Sequence, residues 1–319
     1  MSNQKDTKAL VTSAMLVALT VVIFALGRFL PVVDLIAMFV AHIPIVLIYL
    51  KYGPKYALIG AAAATAIISI SLGIVQGMSF ITLSGVIGVI LGFCISKKYN
   101  TVVTIIVLGM SNLVLFGLFI KISQVITGVD LISNYIDLTI GMFEQNINVL
   151  KGAGVPVDMI PYGNNLSEVR DLIGLAFPGF MIIGSAASGI IWYSLTQKVL
   201  IRLKINIEPI RRFSTWFIPS KVAFPVMILV LINMFTGGEE LNPFGFAIRL
   251  VFVILFVVNG LAVIAYYLID AKFKPGVAGL ITGVVLLLLP NILVFVGLFE
   301  YAFNFRGLDS NRRKLLGKK

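Results

Sequence analysis

The chain has 319 residues, of which 59% are hydrophobic and 12% charged, and its mean hydropathy is +1.03. A soluble domain is about a quarter charged and about half apolar, and it must keep much of its surface wet. This composition therefore excludes a water-soluble globule and turns the apolar excess toward lipid. The net charge of +11 comes with no glycine-rich phosphate loop, aromatic RNA-binding stripe or helix-turn-helix pattern, so no nucleic-acid partner is expected.

A spanning helix needs about 20 largely apolar residues. The first candidate is 9–27. Ala25-Leu26-Gly27 loosely resembles a signal cleavage site, but the apolar run from Ala9 to Leu26 covers 18 residues, longer than the usual signal core of about 7–15. A retained first helix is the reading. Further segments at 33–50, 56–73, 77–95 and 101–120 complete an amino-terminal five-helix part, 1–120.

The insertion 121–171 is polar and net acidic. Val125, Ile126, Val129, Ile132, Ile136, Ile140, Phe143 and Ile147 recur at three- and four-residue steps and predict one amphipathic helical face. A helix lying on the bilayer and a lid over the bundle mouth both account for it. Gly152 to Asn165, with Pro156 and Pro161, reads as loop.

The carboxy-terminal membrane part, 172–305, supplies segments at 172–196, 222–236 and 244–269. A further apolar stretch, 276–303, is interrupted at Pro290-Asn291. The expected fold is an all-α transmembrane bundle of about eight spans plus a re-entrant or ninth helix, with a basic tail at 306–319.

Charge sets the expected orientation. With the amino terminus in the cytoplasm, fourteen Lys and Arg fall inside, six of them in the 198–221 loop. Arg28, Lys121, Lys151, Arg170 and Arg249 fall outside, and six more belong to the tail. A single crossing at 276–303 makes the ratio 14 to 11, whereas a re-entrant turn makes it 20 to 5. Basic loops stay cytoplasmic, so the re-entrant reading and a cytoplasmic tail are favoured. A straight ninth helix kinked at Pro290 is the alternative.

Chemistry-bearing residues are sparse. His42 is the single histidine and Cys94 the single cysteine, which excludes a His-rich metal site, a thiolate cluster and an internal disulfide. No zinc-protease signature and no adjacent carboxylate pair resembling that of an intramembrane protease is present, so neither enzyme activity nor a cofactor is expected. Polar groups at membrane depth are costly and tend to have a partner or a task. On that ground His42, Asn112, Asn259 and Arg249 are candidate small-molecule contacts, joined by Arg28, Asp34, Gln76 and Lys121 on the outer rim. For each asparagine, interhelical hydrogen bonding is the favoured alternative. Ala14 and Ala18, one turn apart, are candidate contacts with a membrane partner, as are Arg211, Arg212 and Trp216 of the basic loop.

Ala14 to Thr20, Ala-Met-Leu-Val-Ala-Leu-Thr, with Pro31, Pro44 and the Lys51-Tyr52-Gly53-Pro54 turn, resembles the substrate-binding S components of energy-coupling-factor transporters. There a first-helix Ala-x-x-x-Ala meets the coupling subunit, and Ala14 and Ala18 match it. Over nearly its whole length the chain is more similar to the YybS-like family of uncharacterised bacterial membrane proteins. The cues are Gly297-Leu298-Phe299-Glu300, Phe303-Asn304-Phe305-Arg306 and Arg211-Arg212…Trp216…Pro219. Glu300 and Asn304 stand where that family's pattern has aspartates. The resemblance implies a bacterial cell-membrane, multi-pass protein.

Two functions follow. One is binding or transport of a small molecule from the outer face, in the manner of an S component working with a coupling subunit. The other is membrane assembly or regulation, with the basic loop recruiting a partner or anionic lipid.

Overall fold

The computed structural model describes residues 2–29, 31–156, 165–236 and 243–309. Every regular element among them is helical. Six helices are long and apolar enough to cross a membrane: Asp6–Phe29, Pro54–Leu72, Ile74–Ser96, Thr101–Thr127, Leu166–Arg202 and Pro243–Asp270. Their outward faces carry side chains such as Leu10, Met15, Ile70, Met110 and Phe180 in the open, as lipid contact requires.

The chain forms two compact units. The first holds residues 1–166 and 184–209, the second 167–183 and 210–319. In the first, α1 (Ser2–Phe29) is followed by two ten-residue helices, α2 (Pro31–Val40) and α3 (Ile43–Tyr52). The segment expected as one span at 33–50 is here built of two short helices. The helix breaks at Ala41-His42 because Pro44 has no N–H to offer the carbonyl of Val40, and its ring crowds that carbonyl. As an early residue of a new helix, by contrast, proline is well placed. Taken across the break, the apolar stretch Ile36–Tyr52 is shorter than the six.

Next come α4 (Pro54–Leu72), then α5 (Ile74–Phe80) and α6 (Val86–Ser96), joined without a break by a π-helical turn at Ile81–Gly85. Val17, Phe24, Ile45, Ile48, Ala61, Ile68 and Phe80 fill the core. At its side α6 lies close on α3: a Cβ on Gly88 would come within 2.8 Å of the His42 carbonyl oxygen, and one on Gly92 within 2.6 Å of Tyr49.

Beyond α6, α7 (Thr101–Thr127) ends on Gly128 in the left-handed conformation, φ 71°. Asp130 then caps α8 (Leu131–Gly152), accepting from the N–H groups of Ile132 at 2.9 Å and Ser133 at 3.3 Å. The N–H groups of Ser133 and Ile132 hold the Asp130 carboxyl below its ordinary value. The amphipathic helix expected in the insertion is present, and it ends at Gly152. Of the loop expected after it, 157–164 lie outside the described residues.

The 37-residue α9 (Leu166–Arg202) contributes residues 167–183 to the second unit and 184–202 to the first. The second unit continues with a 3-10 turn at Phe213–Thr215, α10 (Ser220–Thr236), α11 (Pro243–Asp270), α12 (Pro275–Leu288) and α13 (Pro290–Phe303). The apolar helix at 222–236, expected as a span, is the shorter Ser220–Phe235. The break at Pro290 is where the sequence puts it, and it bends α12 against α13 by 112°. Each of these helices has 14 residues, about 21 Å, too short to cross alone. The tail from 310 onward lies outside the described residues.

Candidate functional site

The densest polar arrangement in the second unit grows from the crossing of α11 and α13. A Cβ added to Gly260 would strike the carbonyl of Leu293, and one on Gly297 the carbonyl of Phe256. Small residues let two backbones approach this closely. Asn259, beside the crossing, donates its Nδ2 to the Gly297 carbonyl at 2.9 Å.

Asn304 ends α13 in the left-handed region, φ 49°, and Gly307, φ 61°, turns the chain again. Asn304 holds this turn by donating from Nδ2 to the Asp309 carbonyl at 3.0 Å and accepting from the Asp309 N–H at 3.2 Å. Arg306 is thereby folded inward. Its Nε donates to Glu300 Oε1 at 3.0 Å, Nη1 to the Ser214 carbonyl at 3.0 Å and Nη2 to Asn259 Oδ1 at 3.2 Å.

The Arg306 and Glu300 side chains are 0% and 3% exposed. Two opposite charges removed from water compensate each other only if their remaining donors and acceptors are also satisfied. Here one guanidinium gathers a carboxylate, a side-chain amide and a backbone carbonyl. The last belongs to the 3-10 turn and ties that turn to the two crossed helices. Trp216 Nε1 donates to the Arg211 carbonyl at 2.9 Å, and its ring stands edge-on to Phe213 at 5.4 Å. Arg211 and Arg212 are exposed on this braced turn.

The first unit holds smaller polar groups. His42 Nε2 and Thr196 Oγ1 lie 2.7 Å apart in the buried interior, with Trp192 edge-on to the imidazole. Asn112 donates to Ser185 Oγ at 3.3 Å. Glu208 meets the start of α7: its carboxylate accepts from the Thr101 N–H at 2.8 Å, and its carbonyl accepts from Tyr193 Oη at 2.6 Å. A carboxylate at a helix amino terminus satisfies a free N–H and matches the helix dipole.

Of the eight expected small-molecule contacts, six fall in the first unit and two in the second. Arg28 and Asp34 pair at 3.3 Å, with side chains 31% and 39% exposed. His42 and Asn112 are buried against α9, and Gln76 is half-buried at the start of α5. Lys121 is exposed on the last turns of α7. Arg249, exposed, and Asn259, buried, belong to the second unit. Of the expected partner contacts, Ala14 and Ala18 are exposed, Arg211 and Arg212 are exposed, and Trp216 is half-buried.

Sequence reasoning missed Arg306, which it counted with the basic tail, and it missed Thr196, Tyr193 and Glu208. For Arg306 a signal existed in the Glu300, Asn304 and Arg306 spacing. Among the described residues no three of His, Cys, Asp and Glu gather as metal ligands would.

Crossed apolar helices with charges sealed inside them define a polytopic helical membrane protein. The chain belongs to the DUF2232 family of predicted membrane proteins, whose family model matches residues 18–299. It is similar to the uncharacterized protein YybS of Bacillus subtilis (strain 168), with 20% identity over 312 residues, 95% of this chain and 98% of that one. No solved structure matches it.

Proposed function

We propose that this membrane protein is a non-enzymatic assembly or regulatory component that recruits clustered anionic groups, on a partner or on lipid headgroups, through Arg211 and Arg212. The observation that carries this reading is the hydrogen bond from the buried Arg306 to the Ser214 carbonyl. A flexible basic loop gives up conformational freedom whenever it binds. Here the turn is braced by Arg306 and by Trp216, so the backbone that carries the two exposed arginines has already lost part of that freedom. Arginine also suits planar, two-pronged recognition of phosphate and carboxylate.

The test is affinity purification of the full chain in mild detergent, as wild type and as Arg211→Gln/Arg212→Gln, with co-eluting proteins and lipids identified. Loss of anionic lipid or of a specific protein from the variant supports the proposal. Identical co-eluting sets rule it out.

A second reading, small-molecule binding from the outer face in the manner of an S component, is favoured by the Arg28–Asp34 pair. A half-exposed pair of opposite charges next to an apolar helix suits a zwitterionic or hydrogen-bonding ligand. If this is right, a small molecule co-purifies with the wild type and is lost from Arg28→Gln and Asp34→Asn. Its retention by both variants counts against the reading.

A further inference from the structure

The α8 helix carries three distinct sectors. At 3.6 residues per turn, Ile132, Ile136, Ile140 and Ile147 share one side. Ile147 on that side is buried and the others are half-buried, so this side lies against protein. Asp137, Glu144, Asn148 and Lys151 share another and are exposed. Between these sectors Tyr135, Leu138, Met142 and Val149 fall within an arc of about 60°. They too are open, Leu138, Met142 and Val149 each by about two-thirds of their surface (64%, 65% and 66%).

The open apolar sector continues a lipid-facing one. On α7, Val114, Leu118, Ile122 and Val125 form a single stripe at four- and three-residue steps, all of them exposed. Gly128, Val129 and Asp130 then link α7 to α8, and Val129 is exposed as well. Because α7 has 27 residues, about 40 Å against a hydrocarbon thickness of about 30 Å, its last turns reach the edge of the bilayer. The exposed Lys121 stands at the start of those turns, and α8 begins at that depth.

A helix with one sector that needs water and one that needs hydrocarbon satisfies both only in the plane of the interface. Spanning the bilayer would bury Asp137, Glu144 and Lys151 in lipid, and a water-borne helix would expose Leu138 and Met142. We infer that α8 docks along the bilayer surface at which α7 emerges, seating Leu138, Met142 and Val149 at the headgroup–acyl boundary. The occupant of its open face is lipid, continuous with the lipid already against α7. Asp137 and Glu144 outnumber Lys151 on the wet side, so apolar contact drives the docking and anionic lipid does not strengthen it. This contrasts with the proposal for Arg211 and Arg212, and the failure of either leaves the other standing.

The test uses the full chain in bilayer nanodiscs, with spin labels at Leu138→Cys, Met142→Cys, Asn134→Cys and Asn148→Cys. The parent chain, whose Cys94 is buried, serves as the labelling blank. Collision rates with oxygen, enriched in lipid, and with a water-soluble nickel chelate report depth. Labels at 138 and 142 should favour oxygen several-fold more than those at 134 and 148, equally in neutral nanodiscs and in nanodiscs with one-third anionic lipid. The inference fails if 138 and 142 are as open to nickel as 134 and 148. Shielding from both reagents overturns it too, because a second copy or another protein then covers the face. So does a lipid preference that appears only with anionic lipid.

Discussion

Arg306 Nε donates to Glu300 Oε1 at 3.0 Å, although the helix ends and the chain turns in the five residues between them. The pair is sealed from solvent, so its energetics are those of buried charge. Removing one member leaves the other uncompensated, a loss of about 3–5 kcal/mol. Arg306→Ala and Glu300→Ala should each lower thermal stability in detergent sharply. The double variant Arg306→Met/Glu300→Leu should be milder than either single change. Arg306→Lys should not rescue, since an ammonium group lacks the planar fork that reaches Ser214 and Asn259 together. Additive single and double losses would contradict the pairing.

Paired glycines make the α11–α13 crossing sensitive to one added carbon. Gly260→Ala and Gly297→Ala each drive a methyl into a backbone carbonyl, so an overpacking loss of about 1–3 kcal/mol is expected. Gly279 and Gly283 on α12 have nothing within 4 Å of a Cβ, and alanine there should be neutral or slightly stabilising. Melting temperatures of the four variants in one detergent decide the matter. Equal shifts would deny the close approach.

Acid should fray the start of α8. The Asp130 carboxyl is held below its ordinary value of 3.8, chiefly by the N–H of Ser133 and then by that of Ile132. A depressed carboxylate contributes stability that is fully present above the ordinary value and is lost as pH falls through the lowered one. Hydrogen exchange at Ile132 and Ser133, corrected for intrinsic rates, should therefore lose protection only at acid pH. Asp130→Asn, which keeps an accepting oxygen, should remove the pH dependence while retaining much of the cap. A pH dependence unchanged in that variant would assign the effect elsewhere.

The distribution of Lys and Arg makes a cytoplasmic carboxy terminus the expected outcome, with α12 and α13 entering and leaving on one side. In intact cells a membrane-impermeant maleimide should leave Ser310→Cys unlabelled until the membrane is opened. Ready labelling in intact cells would instead make the bent pair a crossing.

The long helices were legible because lipid demands unbroken apolar runs, and the bend at Pro290 was legible because a missing donor leaves a mark in sequence. Pro44 carries the same mark, yet the apolar run through 33–50 hides it; hydropathy averages over the very donor whose loss breaks the helix. The Arg28–Asp34 pair was readable from opposite charges flanking Pro31. His42 and Thr196 were not readable as partners, since 154 residues separate them and neither position alone names the other. Arg306 was hidden for a different reason. The charge rule counts which side of the membrane a basic residue occupies, and it has no means of registering one that folds back under the helices.

The π-helical turn at Ile81–Gly85 works as a phase shifter. Bonding from i to i+5 fits one extra residue into the turn, and one residue is worth about 100° of rotation. Everything after it is clocked relative to Gly77 and Phe80 before it, and this setting aims Gly88 and Gly92 at α3. Converting the turn to regular i-to-i+4 bonding at unchanged length would rotate everything after it by about 100°. Side chains would then swing into the place where Gly88 now meets the His42 carbonyl, whereas deleting the one extra residue would give a regular helix with Gly88 still aimed at α3.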